Sequence, residues 1–248
     1  MKMDTSLWTQ LNPTVIFKSS KKQFYNKYLY KLVMLVPGAH IVQDNLKNPE
    51  PDTTIRARIA QYNKYRQAAR YFNENYKNKN SSRFTLAQED QITQYIKFVS
   101  HHRDKLLLRY EMPCLSVYSN DLKLLQTLAK EDKKHLISIH GPENDQAKQA
   151  LARGEIITKR ISEYNLKIFL KELTDISVEE KQSIISCLDN MGDVVKLPKH
   201  CRKSLESQFR WMAASYFYTR DDGIITLLNL IKPGVVQGIF KLSLQPDK

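Results

Sequence analysis

Glycine is scarce in this chain, with seven in 248 residues. That excludes collagen-like and glycine-linker architectures and leaves little material for a glycine-rich loop around a phosphate. Cysteine is rarer still. Cys114, Cys187 and Cys201 are odd in number and widely spaced, with no Cys-x-x-Cys pair, so neither a disulfide framework nor a zinc knuckle is indicated. Reduced surroundings fit this usage, and the expected compartment is the cytoplasm. No apolar run approaches a membrane span, and the first 14 residues lack an apolar signal region and carry Asp4. The chain is therefore expected to work inside the cell without a membrane partner.

Catalytic constellations are also missing. The rings of His101 and His102 point to different sides of any regular element, and His135 and His140 are spaced so that they do not converge. His40, after Pro37-Gly38, reads as a lone loop histidine. No cofactor and no metal site is expected, and no catalytic residue is assigned.

Positive charge, by contrast, is abundant. Thirty-nine Lys and Arg face 26 Asp and Glu, a formal net charge of +13. Such an excess attracts polyanions, and nucleic acid is the commonest of these, with counterion release supplying affinity. With 42% hydrophobic residues and 10% aromatics there is ample material for a packed core.

Residues 1–22 read as an N-terminal extension. A strand over 28–36 follows, ending in a continuous apolar run before Pro37-Gly38. Residues 43–52 read as a loop, with Thr53 or Thr54 capping a long basic helix that continues to Tyr76. A second helix starts at Thr85. A hairpin turns around Met112-Pro113, a short helix follows Asn120-Asp121, and residues 135–140 close as a strand. The order is β-α-β-β-α-β.

After a polar helix ending at Gly154, the second half repeats that order: a strand over 164–171, a helix from Ser177, and a short strand over 194–197. A basic connection over 198–207 leads to a strand over 211–219, a helix capped by Asp221-Asp222 and a closing strand over 234–244. Tyr118-Ser-Asn-Asp121 and Tyr218-Thr-Arg-Asp221 mark the same strand-to-helix boundary, and Tyr25-Asn26 and Tyr164-Asn165 open the two first strands. The predicted fold class is α+β, with tandem ferredoxin-like units over 23–142 and 143–248, the first carrying the extra basic helix.

Units of this kind hold RNA or single strands on an open sheet face, with aromatics stacking on bases and cations on phosphates. Tyr28 and Tyr30 read as sharing one strand face, and Tyr118, Tyr216 and Tyr218 fall on strands, yet the aromatic-rich signature of an RNA-recognition motif is absent. The basic segments are the nucleic-acid-binding candidates: Arg56, Arg58, Lys64, Arg66 and Arg70 on the long helix, Lys77 and Lys79 beyond it, and Lys199, His200, Arg202 and Lys203 in the second half.

The length, charge and doubled plan resemble the RAMP-type CRISPR RNA-processing proteins. That likeness implies metal-independent RNA cleavage by residues such as His and Tyr, although Lys232-Pro-Gly-Val-Val-Gln-Gly238 holds only two glycines where that family has a glycine-rich loop. Leu230-Ile-Lys-Pro233 with Phe240-Lys-Leu242 is similar to the closing helix of some LAGLIDADG homing endonucleases, whose acidic signature is missing here. The expected function is a non-catalytic nucleic-acid-binding protein, RNA or single-stranded DNA favoured, serving as a subunit of a viral or ribonucleoprotein assembly. A metal-independent endoribonuclease, a DNA-binding relic of the LAGLIDADG plan and an adaptor for an acidic protein are the alternatives.

Overall fold

The computed structural model describes residues 5–47, 52–72, 84–111, 113–159, 162–172, 176–208 and 215–245, with only the backbone at 52–53 and 65–72. The fold is mixed α and β. Among the described residues, nine α-helices accompany two five-stranded sheets, and no helix is long and apolar enough to cross a membrane. The chain divides into two compact units, one of residues 1–20 and 24–144, the other of 21–23 and 145–248.

The first unit contains α1 (Thr5–Leu11), β1 (Ile16–Ser19), β2 (Tyr30–Leu35), α2 (Ala39–Lys47), α3 (Asp52–Phe72) and α4 (Leu86–His101). These are followed by β3 (Leu107–Glu111), β4 (Cys114–Ser119), α5 (Leu122–Glu131) and β5 (Leu136–Gly141). Its sheet runs β1-β5-β2-β4-β3, parallel between β1 and β5 and antiparallel elsewhere. Strand β2 shows the period of two that one covered face imposes: Tyr30, Leu32 and Met34 are buried, whereas Lys31 and Val33 are only half-buried. Helix α4 begins in a capping box in which the Thr85 hydroxyl accepts from Gln88 N and the Gln88 side chain accepts from Thr85 N. A buried polar tie joins α4 to the turn before β5, where Asp132 accepts from Tyr95 Oη at 3.0 Å and from Gln91 Nε2 at 2.5 Å.

The second unit contains α6 (Asp145–Ala152), β6 (Ile156–Thr158), β7 (Leu166–Leu170), α7 (Val178–Asn190), β8 (Val195–Lys196), α8 (Lys199–Glu206), β9 (Ser215–Thr219), α9 (Gly223–Ile231) and β10 (Val236–Leu244). Its sheet runs β6-β10-β7-β9-β8, again parallel only at β6–β10. The core lies between one sheet face and the helices. Ile168, Leu170 and Phe217 from the sheet meet Ile184, Leu188, Leu205, Ile224 and Leu228, all nearly inaccessible. Helix α7 repeats the capping box, with Ser177 and Glu180 in the roles of Thr85 and Gln88.

Several expectations need correction. Residues 43–47 belong to α2, not to a loop, so His40 is helical, and the basic connection over 198–207 is helix α8. Both helices are short, and tertiary packing of a few apolar side chains (Ile41 and Val42; Cys201 and Leu205) outweighs the polar composition that suggested loops. Residues 5–20 are no free extension, because β1 supplies a sheet edge and Trp8 of α1 is fully buried. The short edge strand β6 was not foreseen. Tyr28 and Tyr30 do not share a face: Tyr30 is buried in step with Leu32 and Met34, while the ring of Tyr28 lies 6.5 Å from that of Tyr118, on the face of Lys31. Phe240 to Leu242 lie within β10, which removes the likeness to a closing helix.

Register gives the equivalence between units. Leu32 faces Val117 and Ile139, and Ile168 faces Phe217 and Ile239. A bulge interrupts both closing strands at the same place, between 136 and 138 in one and between 236 and 238 in the other. Because Lys31 faces Tyr118 and Lys167 faces Tyr218, Tyr164 corresponds to Tyr28 rather than to Tyr25.

Candidate nucleic-acid interface

In each sheet the strand residues that alternate with those packed in the core lie on the opposite face. In the second unit these are Lys167 and Phe169 of β7, Tyr216 and Tyr218 of β9, and Phe240 of β10. All five are half-buried. Their rings form a chain in which Phe240 meets Phe169 edge-on at 5.4 Å, Phe169 meets Tyr216 at 5.5 Å, and Tyr216 meets Tyr218 at 5.5 Å. Gly238 makes room for this array, since a Cβ there would sit 2.9 Å from the Phe240 ring. The His200 ring, brought in by α8, lies 4.6 Å from Tyr216.

Lys167 stands at the centre. Its Nζ is 3.4 Å from the centroid of Tyr216, 5.0 Å from Phe169 and 5.5 Å from Tyr218, within cation–π range of all three. Burial among the rings, reinforced by nearby Lys22, lowers its pKa from the ordinary lysine value, and burial raises that of the Tyr218 hydroxyl. Lys22 itself lies 5.9 Å from the Phe169 centroid, and Lys196 of β8 pairs with Tyr218 in register and is exposed. The result is an aromatic surface edged by cations. Such a surface can stack planar rings and hold phosphates.

The corresponding face of the first unit keeps the lysine opposite a tyrosine, Lys31 and Tyr118, but has Val33, Ser116 and His140 in place of Phe169, Tyr216 and Phe240, and it is closed. Tyr118 is only 3% exposed because residues 24–28 fold back over it. Phe24 lies 5.5 Å from the Tyr118 ring, and Tyr25 meets it edge-on at 5.0 Å. The reversal places both Tyr25 and Asn26 at φ +54°, a left-handed conformation that costs a tyrosine about 1–2 kcal/mol. Arg109 Nε donates to Tyr25 Oη at 2.6 Å and helps hold the turn. Lys31, the counterpart of Lys167, is paired with Glu111 at 3.3 Å, whereas Lys167 makes no ion pair among the described residues.

The residues expected from charge alone are dispersed. Arg56 and Lys64 are exposed on α3, while Arg58 lines a small cavity of about 230 Å³ with His40, Asp44 and Tyr62. Arg66 and Arg70 lie on α3 where side chains are outside the described part, and Lys77 and Lys79 lie outside the described residues altogether. On α8, His200 reaches the aromatic array, and Lys199 and Lys203 are exposed. Arg202 is engaged by Asp189, with Nη1 donating to Oδ2 at 3.1 Å. Charge counting missed Phe169, Phe240 and Lys167. The alternation Lys167-Ile-Phe169 against Tyr216-Phe-Tyr218 carries the signal, but it needs the strand pairing to be read as one surface.

Burial raises the pKa of all three thiols, that of Cys201 to about 11, so none is a ready thiolate near neutrality. Among the described residues no three His, Cys, Asp or Glu side chains are grouped as metal ligands would be. Compared with known proteins, the chain matches no family, no curated protein and no solved structure.

Proposed function

We propose that this protein binds single-stranded nucleic acid, RNA in preference, on the open sheet face of its second unit, as a non-catalytic subunit of a nucleoprotein assembly. The observation that carries the reading is the half-buried array Phe240, Phe169, Tyr216 and Tyr218 around Lys167, which makes no ion pair among the described residues. Every base has a π-face, so such a row tolerates sequence, and Lys22, Lys196, Lys199 and Lys203 are the cations that would follow a backbone. We further propose that the two units are tandem ferredoxin-like copies over 23–142 and 143–248, the first with α3 inserted. The common strand order, the shared bulge and the twin capping boxes support this.

The test is fluorescence anisotropy of the full chain with ten-nucleotide RNA and DNA single strands and a duplex of matched sequence, across a salt series. Single strands are expected to bind tightest, with affinity falling as salt rises. Salt-insensitive binding, or none, would overturn the proposal. The pairing of His200 with Tyr216 beside Lys167 favours a second reading, metal-independent RNA cleavage, because it joins an imidazole to a phenol and an ammonium. A discrete RNA product formed in EDTA and lost in His200→Ala would establish it; intact RNA would dismiss it.

A further inference from the structure

The aromatic face runs into a cleft at one end of the second sheet, and we propose that this cleft is a base-selective subsite for guanine. The inference rests on the single-strand reading above. The cleft holds roughly 660 Å³ and is walled by Tyr164, Val195, Tyr218 and Leu242, with Glu163 and Lys196 among its polar groups. That volume lies in the range of small-molecule sites and admits a nucleotide. Tyr218 belongs to both features: its ring ends the stacked array and lines the cleft. A strand laid along the array therefore brings its next base to the opening.

The wall is held in place. Ser162 Oγ accepts from Tyr164 N at 3.2 Å, a local turn with Glu163 between the two partners. Arg220 lies 5.8 Å over the Tyr164 ring and is anchored to Asp193, Nη2 to Oδ2 at 2.8 Å. The two charges then divide the ligand. Lys196 suits a phosphate. Glu163 repels one, so a bound strand must present a base edge to it. An ionised carboxylate has two acceptor oxygens and no donor. Guanine alone offers two adjacent donors on its Watson–Crick edge, N1–H and the N2 amino group, and so meets both oxygens. Adenine and cytosine offer one amino group each, and uracil one N–H flanked by carbonyls that the carboxylate opposes. A site with such a donor requirement rejects bases that leave it unpaired.

The experiment uses the full chain and four RNA decamers, all uridine or uridine with one central guanosine, adenosine or cytidine. Anisotropy is expected to show about tenfold tighter binding of the guanosine strand, the size of one bidentate base contact. Glu163→Gln, at an exposed position, is expected to abolish that preference while all-uridine affinity stays equal or tightens slightly as a repulsion is removed. All-uridine binding without a guanosine preference, or a preference that survives Glu163→Gln, would sink the inference and leave the single-strand reading standing. Failure of every decamer to bind would sink that reading, and the inference with it.

Discussion

Replacing Tyr216 by alanine separates stacking from charge on the proposed face. The ring touches Phe169, Tyr218 and His200 and sits under the Lys167 ammonium, so its loss removes the middle of the platform. Stacking on an aromatic side chain contributes roughly 1–3 kcal/mol per base. At about 1.4 kcal/mol per factor of ten, Kd for a single strand should rise roughly 5- to 150-fold. No cation is deleted, so the slope of log affinity against log salt should stay unchanged. Lys167→Met does the reverse: the slope should fall by about 0.7, the contribution of one phosphate contact on a single strand. Tyr216 is half-buried and faces away from the core, so the unfolding midpoint in urea should move little and serves as the folding control. A Kd within twofold of wild type, or a salt slope that drops with Tyr216→Ala, would refute the platform.

Three further outcomes follow from the same geometry. Burial, with Lys31 and Lys18 nearby, lowers the pKa of His140 from 6.5 to about 4. The unfolded chain then binds the extra proton between those values, so stability should fall as pH drops from 6.5 towards 4 and level off below. His140→Phe, which installs the residue found at the matching position 240, should flatten that part of the urea-midpoint profile. Arg202→Ala should leave single-strand affinity within about twofold, because its charge is already engaged by Asp189, whereas Lys199→Ala should lower the salt slope by about 0.7. Phe217→Ala, on the core side of the same strand as Tyr216 and fully buried, should destabilise the protein by about 3–5 kcal/mol in chemical denaturation.

Local physics made much of the fold legible in the sequence. The strand over Tyr30–Leu35, the helix starts at Thr85 and Ser177, and the strand-to-helix boundaries at Asp121 and Asp221 each depend on residues within one turn or one strand, although the apolar run that reads as a strand buried on both faces is buried with a period of two. Those signals sufficed for a mixed α and β fold and for the place of most strands and helices. They failed at α2 and α8, short helices that exist because a few apolar side chains are buried by distant elements.

The candidate site needed the tertiary structure for a related reason. Lys167, Phe169, Tyr216, Tyr218 and Phe240 come from three strands spread over more than 70 positions, and only hydrogen-bonded register makes them neighbours. Sequence distinguishes the two faces only in part, with Phe169, Tyr216 and Phe240 standing where the first unit has Val33, Ser116 and His140. Both carry a lysine opposite a tyrosine, and what closes one and opens the other is a reversal at Tyr25-Asn26 that brings aromatic rings onto Tyr118. Composition by itself determined that the chain carries a large positive excess and is poor in glycine and cysteine. The pairing of strands decided where that charge meets aromatic surface, because a sheet face is a property of register and not of any one segment.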